Sequence, residues 1–179
     1  SAASDVYKRQ VRRIKQGEKE LFEPLAKKYY QEIYHFCFYK TGDAESAFDC
    51  AQDTFLHVIR FLDGYAERDH FRAWIFGIAR NVCNDYFRSR KHITMETGAL
   101  EGEQREEEGY RRAEMKNSIQ AALDRLPEMQ KDVIILRFYY DMKFKEIAAV
   151  VGAGIPTVKS RLRQGMEKMK QFLGKEGDL

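Results

Sequence analysis

The chain has 179 residues, of which 44% are hydrophobic, 33% charged and 13% aromatic. This size and composition fit one compact domain or two small ones joined by a linker, and they exclude a chain that is disordered throughout. Its apolar runs fall far short of the roughly 18 residues that cross a bilayer, so we predict a soluble cytoplasmic protein without membrane contact. Three isolated cysteines exclude a disulfide framework and a zinc ribbon, and we expect no metal and no cofactor.

The charge is divided unevenly along the chain. Lysine and arginine exceed aspartate and glutamate only slightly, 31 against 28. Residues 1–91 contain 16 basic and 13 acidic side chains, residues 92–112 contain 3 and 6, and residues 113–179 contain 12 and 9. The basic excess is concentrated in Arg80 to Lys91 and in Lys159 to Lys175. On helices, such clusters are candidate phosphate contacts, although a solvated helix surface is an equally good interpretation.

Helical periodicity dominates the first half of the chain. Apolar residues recur at three- and four-residue spacing and only three prolines occur, so an all-α fold is predicted. Three helices are expected, over about residues 18–39, 44–61 and 70–90. They can share one core, which predicts a first domain over residues 11–91. Residues 1–10 lack this periodicity and are left outside the predicted fold.

The second predicted helix has two different faces. Gly42 is suited to end the helix before it, and Asp43 is suited to cap it. The apolar stripe predicts five buried side chains: Phe48, Ala51, Phe55, Val58 and Leu62. The opposite surface is acidic and carries Glu45, Asp49, Gln52 and Asp53.

The third predicted helix carries a row of aromatic, amide and basic side chains. Trp74, Asn81 and Arg88 follow each other at seven-residue spacing on one flank of its apolar stripe. Further cations lie nearby: Arg80, Arg90 and Lys91. Such a row can hold an unstacked base and its backbone. A lone tryptophan in a small domain is more often a core residue, so both interpretations remain open.

A linker and a second domain are predicted after the third helix. Residues 92–112 are glycine-rich and acidic with almost no apolar side chains, which is typical of a flexible tether. Residues 113–179 would form the second domain. Within it, Phe144 to Leu162 has the spacing of a helix-turn-helix, with Ala148 where two helices cross and Gly152 where a positive φ is needed.

The second helix of this motif is amphipathic. Five apolar side chains are expected to point inward: Val158, Leu162, Met166, Met169 and Leu173. Six polar residues form the opposite face and its flanks: Thr157, Lys159, Ser160, Arg161, Arg163 and Gln164. Arginine and lysine can pair with guanine edges in the major groove and glutamine with adenine. A purely structural helical hairpin is the alternative.

Motifs in both halves resemble one family. Three segments of the second half resemble region 4 of bacterial sigma factors: Leu126 to Phe138, Lys143 to Ala148 and Thr157 to Leu162. Stretches of the first half resemble region 2 of the same proteins: Asp43 to Glu45, Ala51 to Phe55, Phe71 to Ile75, Ile78 to Asn81, and Asp85. The regions of larger sigma factors are missing, so the chain is similar to the small extracytoplasmic-function (ECF) group.

The resemblance implies a transcription initiation factor with no catalytic activity of its own. In that family the second helix of region 2 docks on the clamp helices of the polymerase β′ subunit, a role that falls here to Asp49, Gln52 and Asp53. The third helix and the loop before it recognise and melt the minus-ten element. The resemblance gives that role to Trp74, Asn81 and residues 63–69, with the neighbouring cations as further DNA contacts.

The resemblance also implies the remaining partners. Region 4 inserts the helix over residues 155–173 into the minus-thirty-five element. The polymerase β flap and an anti-sigma factor are expected as further protein partners. Where the family usually has a larger aliphatic residue after the turn glycine and then a serine or similar cap, this chain has Ala153 and Gly154, with Pro156 in the first turn. These replacements weaken the helix cap and affect the approach angle to DNA.

Two other functions are compatible with parts of the sequence. Glu32-Ile-Tyr-His35 and Glu67-Arg-Asp-His70 have the Glu-x-x-His spacing of di-iron helical bundles, although Glu67 lies in a turn-rich segment. A stand-alone DNA-binding regulator would use the same helix-turn-helix but would not bind polymerase.

Overall fold

A computed structural model describes residues 2–66, 71–97 and 112–174, and the side chains of residues 5–66, 71–90 and 118–174. This part of the chain contains helices and no strand, which confirms the predicted all-α fold. Its α-helices are α1 (Ala2–Lys15), α2 (Phe22–Thr41), α3 (Ala44–Phe61), α4 (Phe71–Thr97), α5 (Arg112–Asp124), α6 (Glu128–Phe138), α7 (Phe144–Val151) and α8 (Ile155–Gly174). None of these helices is both long and apolar enough to span a bilayer.

Helix α1 includes residues 2–10, which the sequence left outside the predicted fold. Val11 and Ile14 on this helix are buried in the core. One turn earlier, the ring of Tyr7 lies 3.1 Å from the Lys28 ammonium, a cation–π contact with α2. The sequence signal was weak because only one stripe of this otherwise polar helix is apolar.

Helices α2, α3 and α4 complete the N-terminal bundle (α1–α4). Gly42 ends α2 with φ of 71°, and its N–H donates to Phe38 O at 2.7 Å. Asp43 then caps α3, because its carboxylate accepts the Ser46 N–H at 2.8 Å. Both local predictions are confirmed. Helix α4 continues to Thr97, into the predicted linker, and residues 98–111 lie outside the described part of the chain.

The C-terminal bundle (α5–α8) contains the predicted helix-turn-helix in α7 and α8. Gly152 ends α7 with φ of 65°, as the spacing predicted. Helix α8 crosses α6 closely at Gly165, where a Cβ atom would lie 3.0 Å from Ile134 Cγ1. This second close crossing was not among the predictions from sequence.

The two bundles pack against each other. Tyr140, after α6, inserts its ring between Phe36 and Phe76 at centroid distances of 6.2 and 4.8 Å, and its hydroxyl donates to Glu32 O at 2.9 Å. Helix α7 lies against α4, so that a Cβ on Gly77 would be only 3.6 Å from a backbone carbonyl of α7. As a result α6 is buried on both sides, over Gln130 to Leu136.

Candidate nucleic-acid and polymerase interfaces

The polar face of α8 is open to solvent. Four of its predicted DNA-binding side chains are exposed and two are half-buried: Thr157, Lys159, Arg163 and Gln164, then Ser160 and Arg161. Gln164 accepts a hydrogen bond from Gln130 Nε2 at 3.1 Å, which orients its amide without burying it. No helix in the described part of the chain covers this face, so it is available to a ligand.

The opposite side of α8 is only partly buried. Val158 is fully buried, and Leu162, Met169 and Leu173 are half-buried. Met166, expected in the core, is 37% exposed, because α8 leaves a groove between itself and α5 and α6. This groove has a volume of about 610 Å³, and its lining is mostly apolar: Ile119, Leu123, Ile134, Phe138, Tyr139, Met166, Met169 and Leu173, with Lys170 and Gly174.

Trp74 on α4 combines the two roles that the sequence left open. Its indole packs 4.9 Å from the Tyr65 ring and 5.6 Å from the Phe71 ring, and it is half-buried. Together with the exposed Asn81, it also lines a cleft of about 360 Å³ between α4 and α7. The predicted pair of aromatic and amide groups therefore faces one cavity, which we call the α4–α7 cleft.

The predicted cations of α4 differ in exposure and in the partners of their side chains. Arg80 donates through Nε to Asp132 on α6 at 2.6 Å, and only 17% of its side chain is exposed. Arg88 is exposed and paired only loosely with Asp85 at 3.4 Å. Arg90 donates to the Tyr86 hydroxyl at 2.9 Å. The side chain of Lys91 and residues 67–69 of the predicted melting loop lie outside the described residues.

A buried ion cluster that the sequence did not predict joins the two bundles. Lys40 on α2 is fully buried and contacts Asp132 at 2.5 Å, Glu128, and Asn84 Oδ1 at 3.3 Å. Burial would lower the pKa of Lys40, but attraction to Asp132 and Glu128 outweighs it and raises the pKa above its usual value. The available signal was position, since Lys40 continues the apolar stripe of α2 seven residues after Ile33.

The outward face of α3 is both acidic and apolar. Asp49, Gln52 and Asp53 are exposed as predicted. Phe48, predicted to be buried, is 48% exposed, because the core is already filled by its neighbours on α2 and α4. Two more apolar side chains are exposed on this helix, Leu56 at 62% and Ile59 at 56%.

The di-iron alternative finds no support in the described residues. Glu32 receives a hydrogen bond from Arg72 Nε at 3.3 Å, so it already has a partner. Glu67 and His70 lie outside the described part. Among the described side chains, no group of three or more His, Cys, Asp or Glu residues could hold a metal ion.

Comparison with known families decides between the remaining functions. Residues 25–93 match the model of sigma-70 region 2, and residues 116–169 match that of sigma-70 region 4. The chain belongs to the sigma-70 family. The sigma factor thus has its two regions in the predicted order, and like other ECF sigma factors it directs RNA polymerase to promoters.

Relatives of similar length share this organisation. The ECF RNA polymerase sigma factor SigW of Bacillus subtilis is 25% identical over 93% of this chain and 96% of its own. The RNA polymerase sigma factor YlaC of the same organism is 28% identical over 88% of this chain and 94% of its own.

Solved structures share the fold. CnrH, in complex with the cytosolic domain of CnrY, matches at a TM-score of 0.74 with 21% identity, over 94% of this chain and 97% of its own. RpoE of Bartonella quintana, in complex with the anti-sigma factor NepR, matches at 0.73 with 22% identity, over 86% and 96%.

Proposed function

We propose that this sigma factor binds core RNA polymerase through α3 and presents α4 and α8 to two promoter elements. The observation that carries the proposal is the presence of both sigma regions in one chain, with an exposed face on α3 and another on α8. The family matches support a first unit near residues 11–91, extended here by α1, a linker near 92–112 and a second unit near 113–179. The protein would act in the cytoplasm and perform no catalysis itself.

The α3 face supports docking on the clamp helices of the β′ subunit. Phe48, Leu56 and Ile59 offer apolar contacts that become buried on binding, whereas Asp49 and Asp53 can pair with basic residues of the partner. Sequence reasoning found only the acidic half of this face. The apolar half supplies the desolvated centre that a stable interface needs.

The apolar groove beside α8 supports a second contact with polymerase. An amphipathic helix can lay its apolar face into such a groove, and the β flap is the expected occupant. An anti-sigma factor would compete for the same surfaces; one structural relative, RpoE of Bartonella quintana, was solved in complex with the anti-sigma factor NepR. Groove and α3 face lie on different bundles, so polymerase would hold both regions at once.

Two DNA contacts complete the proposal. Trp74 and Asn81 would hold an unstacked base of the minus-ten element, assisted by the nearby cations. Arg163 and Gln164 would read base edges of the minus-thirty-five element while Lys159 meets phosphates. Because each module is small and modestly charged, affinity would come from linkage through polymerase rather than from either contact alone.

Run-off transcription with bacterial core polymerase on fragments of the source genome tests the function. We expect specific transcripts that require the sigma factor, and retention of the chain by immobilised core polymerase. The Leu56→Asp variant should lose retention by about 30-fold or more, as for a buried interface anchor worth about 2 kcal/mol. Val6→Asp is the matched control, because Val6 is 53% exposed on α1, away from α3.

The same experiment separates the alternative function. A stand-alone regulator would bind duplex DNA, would not be retained by core polymerase and would start no transcript. That result with the unmodified chain overturns the proposal.

A further inference from the structure

The ion cluster between the bundles has an uneven distribution of charge. Its cations Lys40 and Arg80 belong to the N-terminal bundle, and the two acids that contact them, Glu128 and Asp132, belong to α6. Within the C-terminal bundle the acids also have Lys131, which lies 3.4 Å from Glu128. Separation of the bundles would therefore leave Lys40 and Arg80 without these carboxylates, while Glu128 would keep Lys131 as a counter-charge.

The carboxylate of Asp132 contacts both cations, one through each oxygen, and a phosphate group could make the same two contacts. One of its oxygens lies 2.5 Å from Lys40 Nζ and the other 2.6 Å from Arg80 Nε. A single anionic group thus bridges an ammonium and a guanidinium, and the Asn84 amide lies 3.3 Å from the same ammonium. Tetrahedral phosphate presents oxygens with the same charge and similar spacing to such donors.

The packed arrangement is too small to reach both promoter elements. The minus-ten and minus-thirty-five elements are about 25 base pairs apart, or about 85 Å along the duplex. A compact chain of this length has a diameter of about 40 Å. The bundles must separate for α4 and α8 to contact both elements together, and separation uncovers the α4–α7 cleft and the two cations.

We propose that Lys40 and Arg80 form a site for a backbone phosphate of single-stranded promoter DNA, and that Asp132 and Glu128 occupy this site when the bundles are packed together. Asn84 positions the Lys40 ammonium through its side-chain oxygen. The inference rests on the proposed function, because it assigns the DNA partner of region 2. Lys40 becomes a DNA contact that the sequence did not identify. The packed chain is held closed by its own carboxylates, which compete with DNA.

Two variants open the bundles by different means. Asp132→Asn removes the competing charge and nearly preserves shape. Tyr140→Ala removes the ring between Phe36 and Phe76 and leaves the ion cluster chemically unchanged. Trp74 is the only tryptophan of the chain and lines the α4–α7 cleft, so opening should shift its emission to longer wavelength. Small-angle scattering should show a larger radius of gyration, and circular dichroism checks that helices persist.

Binding of a fluorescent 20-nucleotide oligo-dT by the full chain tests the phosphate site. We expect both variants to bind about tenfold more tightly than the unmodified chain if nine-tenths of the molecules are closed. Adding Lys40→Gln to Tyr140→Ala should reverse part of this gain and reduce the slope of log affinity against log salt by about 0.7, the value for one lost phosphate contact. The matched addition is Lys27→Gln, an exposed lysine of α2 remote from the cluster.

The outcomes separate this proposal from the proposed function. Unchanged affinity and salt slope on adding Lys40→Gln would show that Lys40 contacts no phosphate. Unchanged emission, radius and binding in both Asp132→Asn and Tyr140→Ala would show that the bundles do not close over the site. Either result overturns the inference while run-off transcription stays active. Loss of run-off transcription by the unmodified chain overturns the proposed function instead.

Discussion

Helices α4 and α8 both carry residues predicted to bind DNA, but their surroundings differ. The polar face of α8 is open, and its Arg163 is exposed. On α4, the cleft beside Trp74 is lined on its other side by α7, and Arg80 is held by Asp132. Packing between the bundles therefore decides whether the predicted DNA-binding residues of α4 are accessible, whereas those of α8 are accessible in the packed chain.

DNA binding by the two helices should therefore be sensitive to different changes. Binding by α8 depends on the packing of α8 against α6 and on its own exposed side chains. Helix α4 depends on whether the C-terminal bundle remains packed against it. Changes to the α8–α6 contact, to the exposed side chains of α8 and to the contact between the bundles should therefore affect the binding of duplex and single-stranded DNA differently.

The largest loss of folding stability is expected from adding a side chain at Gly165, where α8 crosses closely over α6. In Gly165→Val, the new Cβ would lie 3.0 Å from Ile134 Cγ1 and 3.4 Å from Gln130 Cβ, and branching adds further overlap. Overpacking of this kind costs about 1–3 kcal/mol, more than the few tenths gained by replacing a helical glycine. Urea unfolding should show the loss, and duplex binding should fall while oligo-dT binding does not.

Gly174→Val is the control for this change, because a Cβ at Gly174, also on α8, meets nothing within 4 Å. Equal stability of the two variants would mean that α8 does not depend on its contact with Ile134.

A loss of sequence discrimination, with no loss of folding stability, is expected from shortening one exposed side chain of α8. Arg163→Ala should reduce discrimination at one upstream base pair by about 1–3 kcal/mol, because a bidentate contact to guanine would be lost. Duplexes that differ at single positions, titrated with the holoenzyme, measure this. Lys27→Ala is the control, because Lys27 is an exposed cation on α2, outside the proposed DNA and polymerase contacts. An equal loss on every sequence would instead assign Arg163 to a phosphate.

The helices and their ends could be predicted from sequence, and the contacts between bundles could not. Gly42, Asp43 and Gly152 act through their own backbone and nearest neighbours, so local rules were sufficient for them. Phe48 was misassigned because periodicity cannot tell a core position from an interface position. Asp132 was missed because an aspartate beside a lysine resembles a surface residue, and its partner Lys40 lies 92 residues away.

The smallest effect is expected from a change in pH, which should alter how strongly the C-terminal bundle packs against α4 and should leave α8 unaffected. Lys40 and Lys131 hold the pKa of Glu128 below its ordinary value of 4.5, although burial opposes them. A carboxyl with a depressed pKa favours the closed form above the ordinary pKa, and this contribution is lost as pH falls through the lower value. We expect it to amount to less than about 1 kcal/mol, because the Glu128 side chain is 43% exposed.

Trp74 emission should therefore shift between pH 5 and pH 3 by more in the unmodified chain than in Glu128→Gln, which already lacks the charge. An identical acid response in the two proteins would remove Glu128 from the contacts that keep α4 covered and leave Asp132 as the competing carboxylate.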